Sequence, residues 1–291
     1  MKWSRRRKEM RFVQIGTPHA SNETSFRRGC ARFNIEYEKV ADASQIQGVP
    51  DLIWAPMRWI PNTWGCKMIM GPHFFVFPSA SELGASENSV YNCLSEWNKA
   101  VHESFLPPPI PYVCFPFGVE VPRPSEKPRT KVVLYYKHRA PEDLAFVEAL
   151  LTRRGKAYTV IHYGHYRSED YAALLDESQF MVVVDAHESQ GFALGEAMAR
   201  NVPLLVYDIT SMKQEYVGRF HYESDKPLAA SSVPYWDARC GERTTDPREL
   251  DAALTRLEAS LPRYRPREFI QEILSDEACF QRLIQFVQLQ S

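Results

Sequence analysis

Two glutamates around a short glycine-containing segment are the residues of this sequence best suited to bind a hydroxylated ligand that carries phosphate. Glu188 and Glu196 are separated by seven residues, and a helix is predicted to start between them, at Ser189, Gln190 and Gly191. A helical rise of ~1.5 Å per residue places the carboxylates on the order of 10 Å apart. Carboxylates accept hydrogen bonds from sugar hydroxyls, and the free N–H groups of a first helical turn bind a diphosphate. Gly191 has no side chain to block that approach.

The same two glutamates have a purely structural interpretation. Glu188 could be a first-turn acid that favours the helix dipole, and Glu196 could be solvated or paired with a base. However, the neighbours of Glu196 are Leu194, Ala197 and Met198, all apolar. An unpaired carboxylate among them costs free energy unless it meets a ligand. We therefore favour the functional interpretation.

Basic and aromatic residues follow two predicted strands and should reach the same sheet edge as Glu188. Lys137 and Arg139 come after the strand 131–135. Cations placed there would neutralise a bound diphosphate without a metal; the alternative is that both are surface charges. The segment 163–166 follows the next strand and could stack a ring on a nucleobase or pack on itself. We name Tyr163 as the candidate for that contact.

The first half of the chain alternates short apolar runs with loops. A helix is predicted to follow the cap Ser95, since Trp97, Val101 and Phe105 recur at intervals of four. We predict five strands: Phe12–Ile15, Asp51–Trp54, Lys67–Met70, Val90–Leu94 and Tyr112–Phe115.

The second half alternates strands and helices, which predicts a parallel, doubly wound sheet. The predicted strands are Lys131–Tyr135, Tyr158–Ile161, Phe180–Val184 and Leu204–Tyr207. The predicted helices start at Pro141, cover Ser168–Glu177 and Gln190–Arg200, run from the cap Asp246 to about Ala259, and start again at about Ser275.

A length of 291 residues suggests two domains. The polar, proline-rich stretch 121–130 is a suitable connection. We predict an N-terminal domain over 1–122 and a C-terminal domain over 123–291, with the last helix able to pack back on the first domain. The predicted fold class is α/β, with two Rossmann-like domains that face a cleft.

Charge and composition exclude several classes of protein. Lys and Arg number 35 against 36 for Asp and Glu, so a nucleic-acid partner is not expected. The basic start, with Lys2, Arg5, Arg6, Arg7, Lys8 and Arg11, could touch a membrane surface or be a solvated terminus. Without an apolar h-region or spanning segment, we expect a cytoplasmic protein with reduced cysteines. The motifs of P-loop ATPases, dinucleotide-binding dehydrogenases, zinc proteases and esterases are also missing from the sequence.

The stretch ESQGFALGEAMARNVPLLV, residues 188–206, resembles the Glu-x7-Glu signature of retaining GT-B glycosyltransferases (glycosyl transferases group 1). The resemblance extends over about residues 112–208. It implies that Glu188 contacts the sugar of a nucleotide-diphosphate donor, that Glu196 holds the ribose, and that Lys137 and Arg139 neutralise the diphosphate. Tyr136 stands near the place where the family has a glycine before the basic pair. The implied reaction moves the sugar to a hydroxyl with retention, and the nucleotide sugar is a co-substrate rather than a cofactor.

Two turns in the first half complete the predicted site. The family uses a glycine-rich turn after its first strand, and here Gly16 stands in that place. His73 follows a later strand and could bind the sugar or assist the acceptor hydroxyl, since histidine exchanges protons near neutral pH; a lone histidine is more often structural. Two other functions stay open at this point: a hydrolase or epimerase of the same fold, and a non-catalytic sugar-binding module.

Overall fold

A computed structural model describes residues 10–56, 59–72, 87–105, 110–216 and 229–289, and these residues form two compact α/β units. The first unit contains the chain up to Gly118 together with the chain from Asp276. The second unit runs from Val119 to Ser275. The predicted boundary at 122/123 lies in the segment between the last strand of the first unit and the first strand of the second.

The first unit is built on a parallel sheet of six strands. Its elements are β1 (Arg11–Ile15), α1 (Ala20–Arg32), β2 (Glu36–Val40), β3 (Leu52–Ala55), β4 (Lys67–Met70), β5 (Ser89–Cys93), α2 (Glu96–Phe105) and β6 (Tyr112–Cys114). The strand order is β2-β1-β3-β4-β5-β6. Strand β1 pairs with both β2 and β3, and Trp54 of β3 lies against Phe26 of α1, with ring centroids 4.7 Å apart.

The second unit is a doubly wound parallel sheet, as predicted from the alternation of strands and helices. Its elements are β7 (Lys131–Lys137), α3 (Pro141–Arg153), β8 (Tyr158–His162), α4 (Ser168–Asp176), β9 (Ser178–Asp185), α5 (Phe192–Ala199), β10 (Leu204–Tyr207), β11 (Gly241–Thr244), α6 (Leu250–Ser260) and α7 (Pro266–Ile273). The strand order is β11-β10-β9-β7-β8, and every neighbouring pair is parallel.

Strand β9 lies at the centre of the second sheet and determines where the candidate site residues emerge. Its residues 180–184 are completely buried, as expected for a parallel strand covered on both faces. Its register with β7 places Asp185 opposite Lys137, so the last residues of the two strands meet at the carboxyl edge of the sheet.

The C-terminal helix α8 (Asp276–Gln288) belongs to the first unit and packs on α1. Gly29 of α1 permits this contact, because a Cβ atom there would lie 2.0 Å from the ring of Phe280. Arg28 adds a two-pronged ion pair with Asp276, at 2.7 and 2.9 Å. A helix at this point was predicted from Ser275, whereas α1, β2, β11 and α7 were not predicted.

The sequence also led to expectations for the cysteines, for membrane-spanning helices and for the basic residues at the start of the chain. None of the six cysteines forms a disulfide. Among the described residues, no helix combines the length and apolar composition that a membrane crossing requires. The basic segment 1–9 lies outside the described residues, whereas Arg11 pairs with Glu38 and donates to the Gln47 carbonyl at 2.6 Å.

Candidate functional site at the carboxyl edge of the second sheet

Lys137 and Glu188 form a partly buried ion pair at the carboxyl edge of the second sheet. Lys137 is the last residue of β7, and Glu188 follows β9. The ammonium Nζ lies 2.6 Å from Oε1 of Glu188, and each side chain is 12% exposed. Nζ also lies 4.5 Å from the ring centroid of Tyr163, which is a cation–π distance. The structure thus brings together three of the predicted site residues.

Asp185 adds a second carboxyl to this pair, and sequence reasoning gave it no role. It is completely buried beside Lys137 and Glu188. Burial raises the pKa of Asp185 well above its ordinary value; Lys137 opposes this effect and Glu188 adds to it. Burial would lower the pKa of Lys137, but the attraction of Glu188 and Asp185 outweighs it and raises that pKa. The ammonium of Lys137 therefore faces the carboxylate of Glu188 and a second carboxyl, Asp185, whose ionisation is disfavoured by burial.

The helix after Glu188 starts two residues later than predicted. Gly191 is its N-cap, with φ 79° and ψ 59°, and α5 starts at Phe192 rather than at Gln190. The Gly195 N–H donates to the Gly191 carbonyl at 2.9 Å, which is the first bond of the helix. The N–H groups of residues 192–194 are therefore those of the first turn, in place of the predicted Ser189–Gly191. Ser189 and Gln190 lie in the bend before the helix, and the Gln190 side chain is buried.

Glu196 lies on α5 near the same cluster, and it is half-buried. Burial, and after it the negative charges of Glu196 and Glu188, raise the pKa of Tyr166 to about 12. Glu188 and Glu196 therefore both lie close enough to Tyr166 to raise the pKa of its hydroxyl. Tyr171 holds the first turn of α5, because its hydroxyl donates to the Ala193 carbonyl at 2.8 Å. Of the tyrosines in 163–166, Tyr163 contacts Lys137 and Tyr166 lies near the two acids.

Arg139 occupies a different position from the one that its spacing suggested. Its side chain is 1% exposed and its Nε donates to Asp143 at 2.8 Å. Nη1 donates to the carbonyls of Asp185 and Tyr207 at 3.3 and 3.1 Å. The guanidinium thus holds the ends of β9 and β10 together. His138, with φ 52°, turns the chain between Lys137 and Arg139, so the two bases have different surroundings.

The two candidates from the first half lie in the first unit or beyond the described part. Gly16 follows β1 with φ 78°, and its N–H donates to the Val40 carbonyl at 2.8 Å. Gln14, which is buried, donates to the Gly16 carbonyl at 3.0 Å and fixes this turn. His73 lies outside the described residues. The predictions for both residues therefore stay predictions.

A histidine–glutamate–histidine bridge holds the two chain segments that carry the ion pair, and sequence reasoning missed it. Glu215 is 6% exposed and lies 3.5 Å from Nδ1 of His138 and 3.1 Å from Nε2 of His187. Each histidine is the immediate neighbour of a site residue, Lys137 or Glu188. Burial would raise the pKa of Glu215, but hydrogen bonds with the two histidines lower it to about 2. Within the described ranges, no group of three or more histidine, cysteine, aspartate or glutamate side chains is arranged to hold a metal ion.

A second support reaches Glu188 through its backbone. The Glu188 N–H donates to the Ser231 carbonyl at 3.1 Å. Asp208, which follows β10 and is buried, accepts from the Ser231 hydroxyl at 3.1 Å and from the N–H of Ser232 at 2.8 Å. The position of Glu188 is therefore fixed by residues 20 or more positions away in the sequence, which no local pattern reveals.

Comparison with known proteins identifies the fold. No protein-family model matches the sequence, and no curated protein matches it. The lipopolysaccharide outer core galactosyltransferase WaaB superposes with a TM-score of 0.62 at 12% identity, over 96% of this chain and 99% of that one. AviGT4, a glycosyltransferase involved in avilamycin A biosynthesis, gives 0.58 at 12% identity, over 96% and 97%.

This is the GT-B fold. A further GT-B structure, S. aureus TarM in complex with fondaparinux, alpha-GlcNAc-glycerol and UDP, gives a TM-score of 0.52 at 14% identity, over 78% of this chain and 52% of that one. At 12–14% sequence identity, these structures show that the chain shares their fold and show nothing more. The function must be argued from the residues at the carboxyl edge.

Proposed function

We propose that the chain transfers a sugar from a nucleotide-diphosphate sugar to a hydroxyl-bearing acceptor. The observation that carries this proposal is the partly buried ion pair of Lys137 and Glu188, with Nζ and Oε1 2.6 Å apart, beside the start of α5. The pair lies outside the carboxyl ends of parallel strands, where open α/β sheets bind ligands. It does so in a chain with the GT-B fold.

Lys137 is the residue that stabilises the leaving group in this proposal. Negative charge accumulates on the diphosphate as its bond to the anomeric carbon breaks, and a preorganised cation lowers that barrier. The raised pKa of Lys137 keeps its ammonium charged at neutral pH. The N–H groups at the start of α5 face the same developing charge. Together they supply the positive charge, so the proposed reaction uses no metal.

The two glutamates bind the two sugars of the donor. When the donor binds, the Glu188 carboxylate accepts hydrogen bonds from the hydroxyls of the transferred sugar in place of part of its interaction with Lys137. The Lys137 ammonium then donates hydrogen bonds to the diphosphate. Glu196 accepts hydrogen bonds from the ribose, and Tyr163 or Tyr166 contacts the nucleobase. Retention of the anomeric configuration is proposed from the resemblance of the Glu188–Glu196 spacing to the family signature. Arg139 acts here by holding β9 and β10, not by touching the donor.

A thermal-shift screen against UDP-, GDP- and ADP-sugars tests donor binding. A donor at ~100 times its dissociation constant stabilises the protein by about 2.7 kcal/mol. Glu196→Ala should lose most of that response. Glu148→Ala, which replaces another half-buried helical glutamate, on α3, should keep it. Identical responses of all three proteins to every donor would show that Glu196 does not bind the nucleotide.

Product analysis tests the transfer itself. The donor that stabilises the protein is incubated with a mixture of hydroxyl-bearing glycan acceptors, and released nucleoside diphosphate and new glycosidic bonds are measured. We expect both products in equal amounts, with the anomeric configuration of the donor retained by proton NMR. Free sugar without a glycoside would instead identify a hydrolase, and an inverted product would refute retention.

A further inference from the structure

A basic cavity opens at the amino edge of the second sheet, away from the site described above. Its volume is about 560 Å³. Gln179, at the start of β9, lines it, and β9 ends at Asp185, so about 20 Å of strand separates the two edges. The cavity is lined by Pro124, Ser125, Arg129, Gln179, Arg200, Asn201, Pro203, Leu261, Pro262, Arg265, Arg267 and Glu268. We call it the arginine cavity.

Positive charge exceeds negative charge in the arginine cavity. Four arginines and one glutamate line it. Arg200 lies 3.4 Å from Asp176, and Arg265 lies 3.8 Å from Glu268, so these two bases have carboxylate partners. Within the described part of the chain, Arg129 and Arg267 form no ion pair. Burial lowers the pKa of each of these two guanidinium groups; the charge of Asp176 opposes this effect at Arg129.

The contacts of Arg129 and Arg267 hold their guanidinium groups in place without neutralising them. Arg129 donates to the carbonyls of Ser178 and Asn201 at 3.3 and 3.1 Å. Arg267 donates to the Ala199 carbonyl at 2.8 Å. Ala199 ends α5, and the C-terminal end of a helix carries a partial negative charge of only about half an electron. This charge is smaller than the two positive charges of the guanidinium groups. A guanidinium has five N–H donors, so each group retains donors for a ligand.

A phosphate monoester matches this combination of charge and geometry. Its dianion carries two negative charges, as many as the two unpaired guanidinium groups can balance. Arginine binds phosphate oxygens through paired, charge-assisted hydrogen bonds. A volume of about 560 Å³ falls in the range of small-molecule sites, so the cavity can hold the organic part of a monoester as well as its phosphate.

We infer that the arginine cavity is a second ligand site, which binds a phosphate monoester between Arg129 and Arg267. Arg265, which is exposed and only loosely paired with Glu268 at 3.8 Å, donates a third set of hydrogen bonds to the same phosphate. The shared chemistry is a monoester dianion on a small organic group, supplied either by a soluble metabolite or by the headgroup of phosphatidic acid. This site is independent of the proposed transfer reaction, because its residues lie at the opposite edge of the sheet.

Isothermal titration calorimetry with glycerol 1-phosphate tests the site on the full chain at low salt. Arg265→Glu changes an exposed residue whose hydrogen bonds go only to nearby carbonyls, so the fold should tolerate it. We expect it to weaken binding by at least about tenfold. Arg153→Glu, at an exposed arginine outside the cavity, should leave the affinity unchanged. Glu196→Ala should also leave it unchanged, which separates this site from the donor site.

A second arm distinguishes the two sources. Vesicles of phosphatidylcholine with and without phosphatidic acid are sedimented with the wild-type chain and the same variants. Arg265-dependent binding of glycerol 1-phosphate alone identifies a soluble ligand, and Arg265-dependent sedimentation with phosphatidic acid identifies the headgroup. Arg265→Gln repeats both arms if the charge reversal unfolds the protein. Failure of wild-type chain to bind either probe, or equal binding by Arg265→Gln, overturns the inference.

Discussion

Replacement of Asp185 by asparagine tests the electrostatics of the candidate site in isolation. Asp185 is completely buried, and its pKa is raised because burial and Glu188 outweigh the attraction of Lys137. Asparagine has nearly the shape of a protonated aspartate but cannot ionise. The variant should therefore fold, keep the Lys137–Glu188 pair and differ from wild type mainly in its response to pH.

The sign of that response follows from linkage. An unfolded aspartate titrates near pH 3.9, whereas folded Asp185 keeps its proton to higher pH. Between these two values the folded state holds a proton that the unfolded state has lost, so wild-type stability falls as pH rises. The slope is about 1.4 kcal/mol per pH unit. Asp185→Asn lacks this pH dependence. The free energy of unfolding of the variant, measured relative to wild type, therefore rises by about 1.4 kcal/mol for each pH unit in this window.

Urea unfolding at half-unit steps from pH 4.5 to 7.5, followed by far-UV circular dichroism, measures the difference. The control is Asp246→Asn. Arg248 holds the pKa of Asp246 at about 2, so its titration lies below this window. That control should give a constant difference from wild type, whereas Asp185→Asn should give one that grows with pH. A flat or falling difference for Asp185→Asn would mean that Asp185 is ionised in the folded protein.

Three further changes test individual contacts. Gly191→Ala forces a side chain into a left-handed conformation and should cost about 1 kcal/mol and weaken donor binding; no loss in urea titration would contradict the observed φ. Glu215→Gln should cost on the order of 1–2 kcal/mol above about pH 5, with the loss shrinking as pH falls toward 2, where the wild-type carboxyl is about half protonated; a pH-independent loss would argue against the bridge. Gly29→Ala should cost about 1–3 kcal/mol, and Phe280→Leu in that background should restore part of it, unless α8 packs elsewhere.

The elements that the sequence predicted correctly are those with a strong apolar pattern. Strand β9 is a continuous apolar run, and it was predicted within two residues at each end. Helix α1 was missed because its sequence ASNETSFRRGCAR is mostly polar and buries a narrow face. Strand β11 has the sequence GERT and owes its place to pairing with β10 rather than to its own composition.

The candidate site was predictable only where residues lie at or just beyond the ends of strands. Lys137 ends β7 and Glu188 comes shortly after the adjacent parallel strand β9, so their meeting at one edge was expected. Arg139 is two residues further on, and its direction depends on a turn at His138 that the sequence does not specify. Glu215 and Ser231 come from distant parts of the chain and reach the site through tertiary packing alone.

Binding of nucleoside diphosphates by Lys137→Met tests the central claim most directly. The ammonium should form charge-assisted hydrogen bonds to the diphosphate, each contributing about 1.5–3 kcal/mol, so calorimetry should show affinity reduced by at least about tenfold. Lys127→Met, at an exposed lysine outside the site, should bind like wild type. Binding of UDP, GDP or ADP by Lys137→Met as tight as by wild type, or no binding of any of them by wild type, would contradict a role of Lys137 in holding the diphosphate.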